Sequence, residues 1–524
     1  MSVIDPVSPP APRKAVVASA GGIVASQSRV AASVGAEVLA AGGNAVDAAV
    51  ATSFAVGVLE PWMSGIGGGG YLVFAPADGT PPQVIDCGMV APAALDPRDY
   101  PLVGGTRPGG FAWPAVRDDR NLKGAHSVAV PGLVAGLNLA LERFGTIDWP
   151  SALAPAIGLA ERGLPIDWYT TLSIAVAARE LAELEDAREL YLPDGLPPAP
   201  AEEGVVHLPL GNLAHTLRRL AEAGAHDFYD GEIAASIARE LRQAGGSLSR
   251  EDLVAYRANV VPALETEYRG ITVAAPPGLT AGPTLAAVLR ALTGTLRPPA
   301  RGGRPDAAAY RAYAASLAAA YEERLATLGH ASPAPSCTTN LCVVDRQGNM
   351  VALTQTLLSR FGSKLLLPET GILLNNGIMW FDPRPDRPNS LAAGKRPLSN
   401  MCPVVLRKGG HPWAALGASG GRRIMPAVAQ ILSFLVDWGV TLEEAFHQPR
   451  LDVSGDGRAI LDSRLSPAVE REVAALMPVL REPVAVYPAQ FASPSAVLRD
   501  ATSGKNYGMA DIASPWSSAV AERD

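Results

Sequence analysis

Cysteine is scarce: Cys87, Cys337, Cys342 and Cys402 in 524 residues, with no C-x-x-C pair. So few in so long a chain do not make a disulfide framework, and reduced thiols in a cytoplasmic setting are expected. Histidine is equally thin, seven residues with no H-x-x-x-H pair, so no metal and no cofactor is expected. No Lys/Arg-rich run occurs and the net charge is -7, which argues against nucleic acid or an anionic membrane as partner. The Pro- and Ser-rich start, Met1 to Lys14, has no apolar segment of the secretory kind. The most hydrophobic early stretch, Ala45 to Leu59, contains Asp47 and is too short to span a bilayer. What is plentiful is apolar surface: 48% hydrophobic against 18% charged residues, the balance of a well-buried globular enzyme.

Apolar periodicity and Gly/Pro punctuation divide the chain. Val16 to Ser26 reads as strand, turn at Gly21-Gly22, strand. Arg29 to Ala41 reads as a helix stopped by Gly42-Gly43, followed by an Ala-rich helix from Asn44 to about Gly57 that lacks a polar face and is expected to be buried. Helical patterns return over 129–163, Asp230 to Gly245 and Ala307 to Leu328. After a short Pro/Ser linker, Ala331 to Ser336, strands dominate: Leu341 to Asp345, a turn at 347–349, and Val351 to Thr356 form a hairpin. Strands in the second part with helices around them imply an α/β sandwich of sheets covered by helices.

Two segments carry chemistry. Cys337-Thr338-Thr339-Asn340 opens the hairpin. A threonine hydroxyl needs a base beside it, and its own α-amine supplies one if the chain is cut just before it. The plain alternative is β propensity at a strand start. Ala418-Ser419-Gly420-Gly421-Arg422-Arg423 leads into a helix. Its paired glycines suit either converging N–H groups that bind an oxyanion or a tight turn. The run Gly67 to Gly70 has the same two readings, and its spacing is that of neither nucleotide loop.

The whole pattern resembles the gamma-glutamyltranspeptidases. The resemblance rests on Gly42-Gly43 through Asp47, Glu60-Pro61, Ser64 to Gly70, Val130-Pro131-Gly132 and Phe228 to Gly231 in the first part. In the second it rests on Thr338-Thr339, Thr354 to Leu357, Phe361-Gly362-Ser363, Gly371 to Asn376, Lys395 to Ser399 and Gly420-Gly421. It implies the four-layer αββα N-terminal-nucleophile fold. It also implies one cut between Cys337 and Thr338, giving a large subunit, 1–337, and a small subunit, 338–524. Position by position, Thr338 is the nucleophile, Thr356 the assisting hydroxyl, and Gly420 and Gly421 the oxyanion donors.

The residues that grip a glutamyl group are missing. Where the family has Asp-Phe-Arg-Glu, this chain has Asp86-Cys87-Gly88-Met89, so the arginine that binds the α-carboxylate is Gly88. The family asparagine two residues past Thr356 is Leu358. The acidic or amide residues after Asn375-Asn376 are replaced by Gly377-Ile378-Met379-Trp380, and the second serine of the Ser399 pair is Asn400. A carboxylate needs a bidentate cation and an ammonium needs acceptors, so the substrate pocket around Gly88, Leu358, Asn376, Gly377, Trp380, Ser399 and Asn400 is expected to be apolar. Shortened segments before Thr338 and over 382–394 add the expectation of a more open or differently covered pocket. The resemblance then points to an acylase on a small non-glutamyl substrate. Relatives of that type include cephalosporin acylases and the C–C bond hydrolases that make 4-alkyl-proline units of antibiotics. The other readings are a glutathione-type transpeptidase with different clamps and a scaffold without turnover.

Overall fold

Local chemistry sets the first helical layer. Helix α1 (Arg29–Ala40) starts on Ser28, whose side chain accepts from the Ala31 N–H. The chain leaves it through Gly42 at φ 95°, open to glycine without strain. Helix α2 (Ala45–Leu59) begins with a capping box between Asn44 and Asp47, and every residue in it except Gly57 is buried. Asp47 also accepts from the Thr146 N–H and hydroxyl, tying the helix start to a distant turn. The Gly-Gly-Asn…Asp motif is thus a piece of scaffold.

The computed structural model describes residues 13–106, 114–298, 303–328, 337–454 and 457–523. The expected linker, Ala331 to Ser336, and most of the Pro-rich start lie outside them. In chain order the central strands are β1 (Val17–Ser19), β2 (Ile23–Ser26), β3 (Gly69–Ala75), β4 (Gln83–Cys87), β5 (Asn259–Pro262), β6 (Leu264–Tyr268) and β7 (Ile271–Ala275). Then come β8 (Cys337–Val344), β9 (Met350–Leu358), β10 (Val404–Lys408), β11 (His411–Ser419), β12 (Ser493–Arg499), β13 (Asn506–Ala510) and β14 (Ser518–Ala521). Sheet I has the order β14-β2-β8-β9-β3-β4-β5 and sheet II the order β1-β13-β12-β11-β10-β7-β6. Neighbours in both are antiparallel.

Side chains alternate between faces along each strand, and the alternation builds the layers. From β8, Leu341 and Val343 join Val50 and Phe54 of α2 on the outer face of sheet I. Cys342 and Val344 point the other way, into an inner layer with Val405, Ala415 and Val497 of sheet II. The outer face of sheet II, including Leu406 and Leu416, packs on Leu285, Leu317 and Ile431. These belong to helices α3 (Gly282–Thr295), α4 (Ala307–Thr327) and α5 (Ile424–Asp437). Helix, sheet, sheet, helix is the αββα sandwich of the N-terminal-nucleophile hydrolases.

Two expectations hold and gain detail. The strands of Val16 to Ser26 exist but form no hairpin. β1 pairs with β13 in sheet II, while β2 lies between β14 and β8 in sheet I. Gly21 makes the step between sheets under Glu522: a Cβ there would fall 2.1 Å from Glu522 Oε1. The stretch 129–163 is two helices, Leu133–Phe144 and Trp149–Arg162. Among the described residues no helix is long and apolar enough to cross a membrane, and no group of three or more His, Cys, Asp or Glu could hold a metal ion.

Candidate active site

Thr338 is the second residue of β8 and is buried. Pairing with β9 slips here: Cys337 sits opposite Leu358 and Thr339 opposite Gln355, so Thr356 and Leu357 together oppose Thr338. Such a bulge re-aims side chains. Thr338 Oγ1 donates to Thr356 Oγ1 at 3.3 Å, and Thr356 Oγ1 also accepts from the Leu358 N–H at 2.8 Å. Leu358 makes that turn at φ 95°, a left-handed conformation that costs a residue with a Cβ about 1–2 kcal/mol. Complete burial of its side chain holds it there. The glycine run lies against this strand. A Cβ on Gly68 would fall 2.3 Å from the Thr356 carbonyl, and one on Gly70 2.6 Å from that of Thr354. Gly68 and Gly70 therefore serve close backbone approach to β9, while Gly67 and Gly69 approach the carbonyls of Leu373 and Cys87.

The oxyanion candidates end β11, with Gly420 at φ 132° and Gly421 at φ 64°, so the strand turns sharply into the following helix. Gln27 fixes where this turn lies. Ser26 pairs with Leu341, and the next residue, Gln27, donates to Ser419 Oγ. The Gly420 turn is thereby held at the same end of the sandwich as the start of β8. From behind, the Tyr321 hydroxyl of α4 donates to the Arg422 carbonyl. Arg324, on the same helix, donates to the carbonyls of Thr280 and Ser399 and reaches Asn400 Oδ1. One helix thus pins both the glycine turn and the Ser399-Asn400 segment. Burial pushes the Arg422 guanidinium down to about 9.

Beside the nucleophile candidate, Thr339 Oγ1 donates to Glu60 Oε2 at 3.1 Å. Burial at the end of α2 raises the Glu60 carboxyl to about 7, its bond from Thr339 opposing the rise. The thiols of Cys87, Cys342 and Cys402 are buried and pushed up to about 12 by loss of water. None is the thiolate a cysteine nucleophile requires.

Gly88, Leu358, Gly377 and Trp380 gather around Tyr71 and Met89, so of the two expected arrangements this part of the wall is differently covered rather than open. The space of the missing family side chains is filled. A Cβ on Gly88 would fall 2.6 Å from the Tyr71 hydroxyl, and one on Gly377 2.7 Å from Ala129 Cβ and 3.3 Å from Met89 Sδ. Asp86 turns back to accept from the Gly88 N–H and pairs with Arg396. Tyr71, Met89, Leu358, Ile378, Trp380 and Met401 form one apolar cluster. The amide of Asn376 is engaged by Ser359 and Leu122, so it braces this loop from within. Ser399 Oγ accepts from the Met401 N–H. Sequence reasoning quoted Glu60 only as part of a motif and passed over Tyr71. The signal for Tyr71 was an aromatic directly after four glycines.

Comparison with known proteins agrees with this architecture. The sequence model of the gamma-glutamyltranspeptidases matches residues 31–335 and 314–520. The chain belongs to that family. The Acylase ACY 1 proenzyme of Pseudomonas sp. (strain SE83) is 33% identical over 87% of this chain and 86% of its own length. The Glutathione hydrolase proenzyme of Escherichia coli (strain K12) is 32% identical over 82% and 80%. Among solved structures, the cephalosporin acylase from Bacillus halodurans covers 100% of both chains at a TM-score of 0.84 and 25% identity. Family and fold make the chain an enzyme of the acyl-hydrolase and acyltransferase kind with N-terminal-nucleophile architecture.

Proposed function

We propose that this enzyme is a self-processing threonine amide hydrolase, cut between Cys337 and Thr338 into subunits 1–337 and 338–524. Its small-molecule substrate carries an acyl group other than γ-glutamyl. The observation that carries the reading is the buried hydroxyl pair Thr338–Thr356, 3.3 Å apart at the head of β8. In maturation Thr338 Oγ1 adds to the Cys337 carbonyl carbon, the C–N bond breaks and an ester forms. Breaking the C–N bond frees the Thr338 α-amine, and water then splits the ester into the Cys337 carboxylate and the Thr338 hydroxyl. In turnover that amine takes the Oγ1 proton as Oγ1 adds to the substrate carbonyl. The N–H groups of Gly420 and Gly421 receive the oxyanion, the leaving amine departs with a proton, and water releases the acyl group from Thr338.

Acylase and glutathione hydrolase relatives are almost equally similar, 33% and 32%, so the wall beside the nucleophile has to discriminate. That wall is Tyr71, Leu358 and Trp380, which supply neither the cation nor the carboxylates a glutamyl group needs. Each missing charged hydrogen bond is worth about 1.5–3 kcal/mol. On protein shown to be cut at Thr338, γ-glutamyl anilide and glutathione are expected to turn over several powers of ten more slowly in kcat/KM than the best uncharged amide. Conjugated keto acids in the same panel report C–C bond hydrolysis. Glutamyl turnover equal to the best alternative would contradict the non-glutamyl reading.

A further inference from the structure

The apolar wall lies on the β9–β3–β4 side of β8. The same end of the sandwich holds a cavity of about 110 Å³, whose lining includes Gln27, Glu60, Arg360, Gly420, Arg423 and Phe491. Two of these join it to the reaction centre: Gly420 of the oxyanion turn, and Glu60 through its bond from Thr339. The space therefore adjoins the Gly420 turn and the Glu60–Thr339 bond, yet nothing in the reaction described above uses it.

Arg360 is the group in this cavity without a task. Nη1 of its guanidinium is buried and finds no hydrogen-bond partner, and among the described residues no carboxylate pairs with it. The other charged groups of the cavity are committed. Arg423 donates to the Ala489 carbonyl and to Gln490 Oε1. Asp511 accepts from Ser493 Oγ at 3.0 Å. Glu60 accepts from Thr339, and its burial keeps it largely uncharged below neutral pH. A half-buried arginine whose buried Nη1 lacks a partner is matched in geometry and charge by a planar carboxylate.

We infer that this cavity is the leaving-group subsite and that Arg360 binds a carboxylate there, so that the preferred substrates are N-acyl amino acids. The acyl group lies against the Tyr71–Trp380 wall and the amino-acid carboxylate lies across Thr338 at Arg360. This rests on the reading of Thr338 as nucleophile and of the wall as the acyl side.

The test is calorimetric titration of 3-benzoylpropanoate, a ketone isostere of N-benzoylglycine with no scissile amide, and of its neutral counterpart 3-benzoylpropanamide into cleaved wild-type enzyme, Arg360→Gln and Arg360→Lys, with Tm measured for each to confirm folding. The wild type is expected to bind the carboxylate at least tenfold tighter than the amide. Arg360→Gln should abolish that preference, Arg360→Lys should keep part of it, and affinity for the amide should be the same in all three. Equal affinity for the two ligands in the wild type, or a preference that survives in Arg360→Gln, overturns the assignment. Binding is read without turnover, so the two proposals fail separately. Selective carboxylate binding with no amide hydrolysis would sink the functional reading, whereas hydrolysis of uncharged amides without carboxylate preference would sink the subsite.

Discussion

Thr356 and Leu358 are two residues apart on one strand, yet they belong to regions with opposite histories. On the Thr338 side lie two hydroxyls in contact, a glycine turn pinned by Tyr321, and a bulge that faces the two threonines. On the Leu358 side the polar clamps are gone and their volume is taken by Tyr71, Met89 and Trp380. A family can therefore keep its chemistry while exchanging its recognition wall, because the two draw on different neighbours of β9, Thr338 of β8 on one side and Tyr71 of β3 on the other. Leu358 marks the seam. Its left-handed backbone presents its N–H to Thr356, at a residue type that pays for it in strain.

The contrast can be broken or sharpened by substitution. The largest expected effect is at Glu60, on the reaction side. Its folded carboxyl is raised from 4.5 to about 7. The stability this neutral group contributes is fully present below about pH 4.5 and is lost as pH rises through 7. Glu60→Gln removes that loss, so by chemical unfolding the variant should gain on the wild type between pH 5 and 8, toward something on the order of 3 kcal/mol. A difference that does not change with pH would contradict the burial of this acid. On the recognition side, Gly88→Ala should destabilise by about 1–3 kcal/mol through the clash with Tyr71. In a Tyr71→Phe background most of that cost should disappear, and an unchanged cost would show that Tyr71 does not fill the lost arginine's space. The smallest effect is that of Thr356→Ala. Loss of one hydrogen bond, about 1 kcal/mol, should slow cleavage and turnover several-fold with little change in Tm, and Thr356→Ser should recover most of the rate. Unaltered kinetics in Thr356→Ala would remove Thr356 from the mechanism.

The layers were legible in sequence because period-2 and helical patterns report burial directly, as the hairpin of β8 and β9 and the wholly buried α2 show. The destination of β1 was not, since a strand's pattern names its buried face but not its partner, which for β1 is some 490 residues away. At the site, the motif glycines gave away the backbone turns. That Gly88 and Gly377 are filled rather than vacant depended on Tyr71, which lies on the strand paired beside Gly88, and on Ala129 and Met89, remote from Gly377 in sequence. Arg360 is a similar case, because its lack of a partner is a property of its surroundings.

The central claim is that Thr338 becomes an N-terminus and then the nucleophile. Intact-mass and N-terminal analysis of the purified wild type, run beside Thr338→Ala and Thr338→Ser, tests it most directly. The account predicts two wild-type chains, 1–337 and 338–524, with the smaller beginning at Thr338. It also predicts an uncut and inactive Thr338→Ala chain, and slow cleavage in Thr338→Ser. An active wild type that remains a single chain, or a small fragment beginning at any other residue, would contradict it.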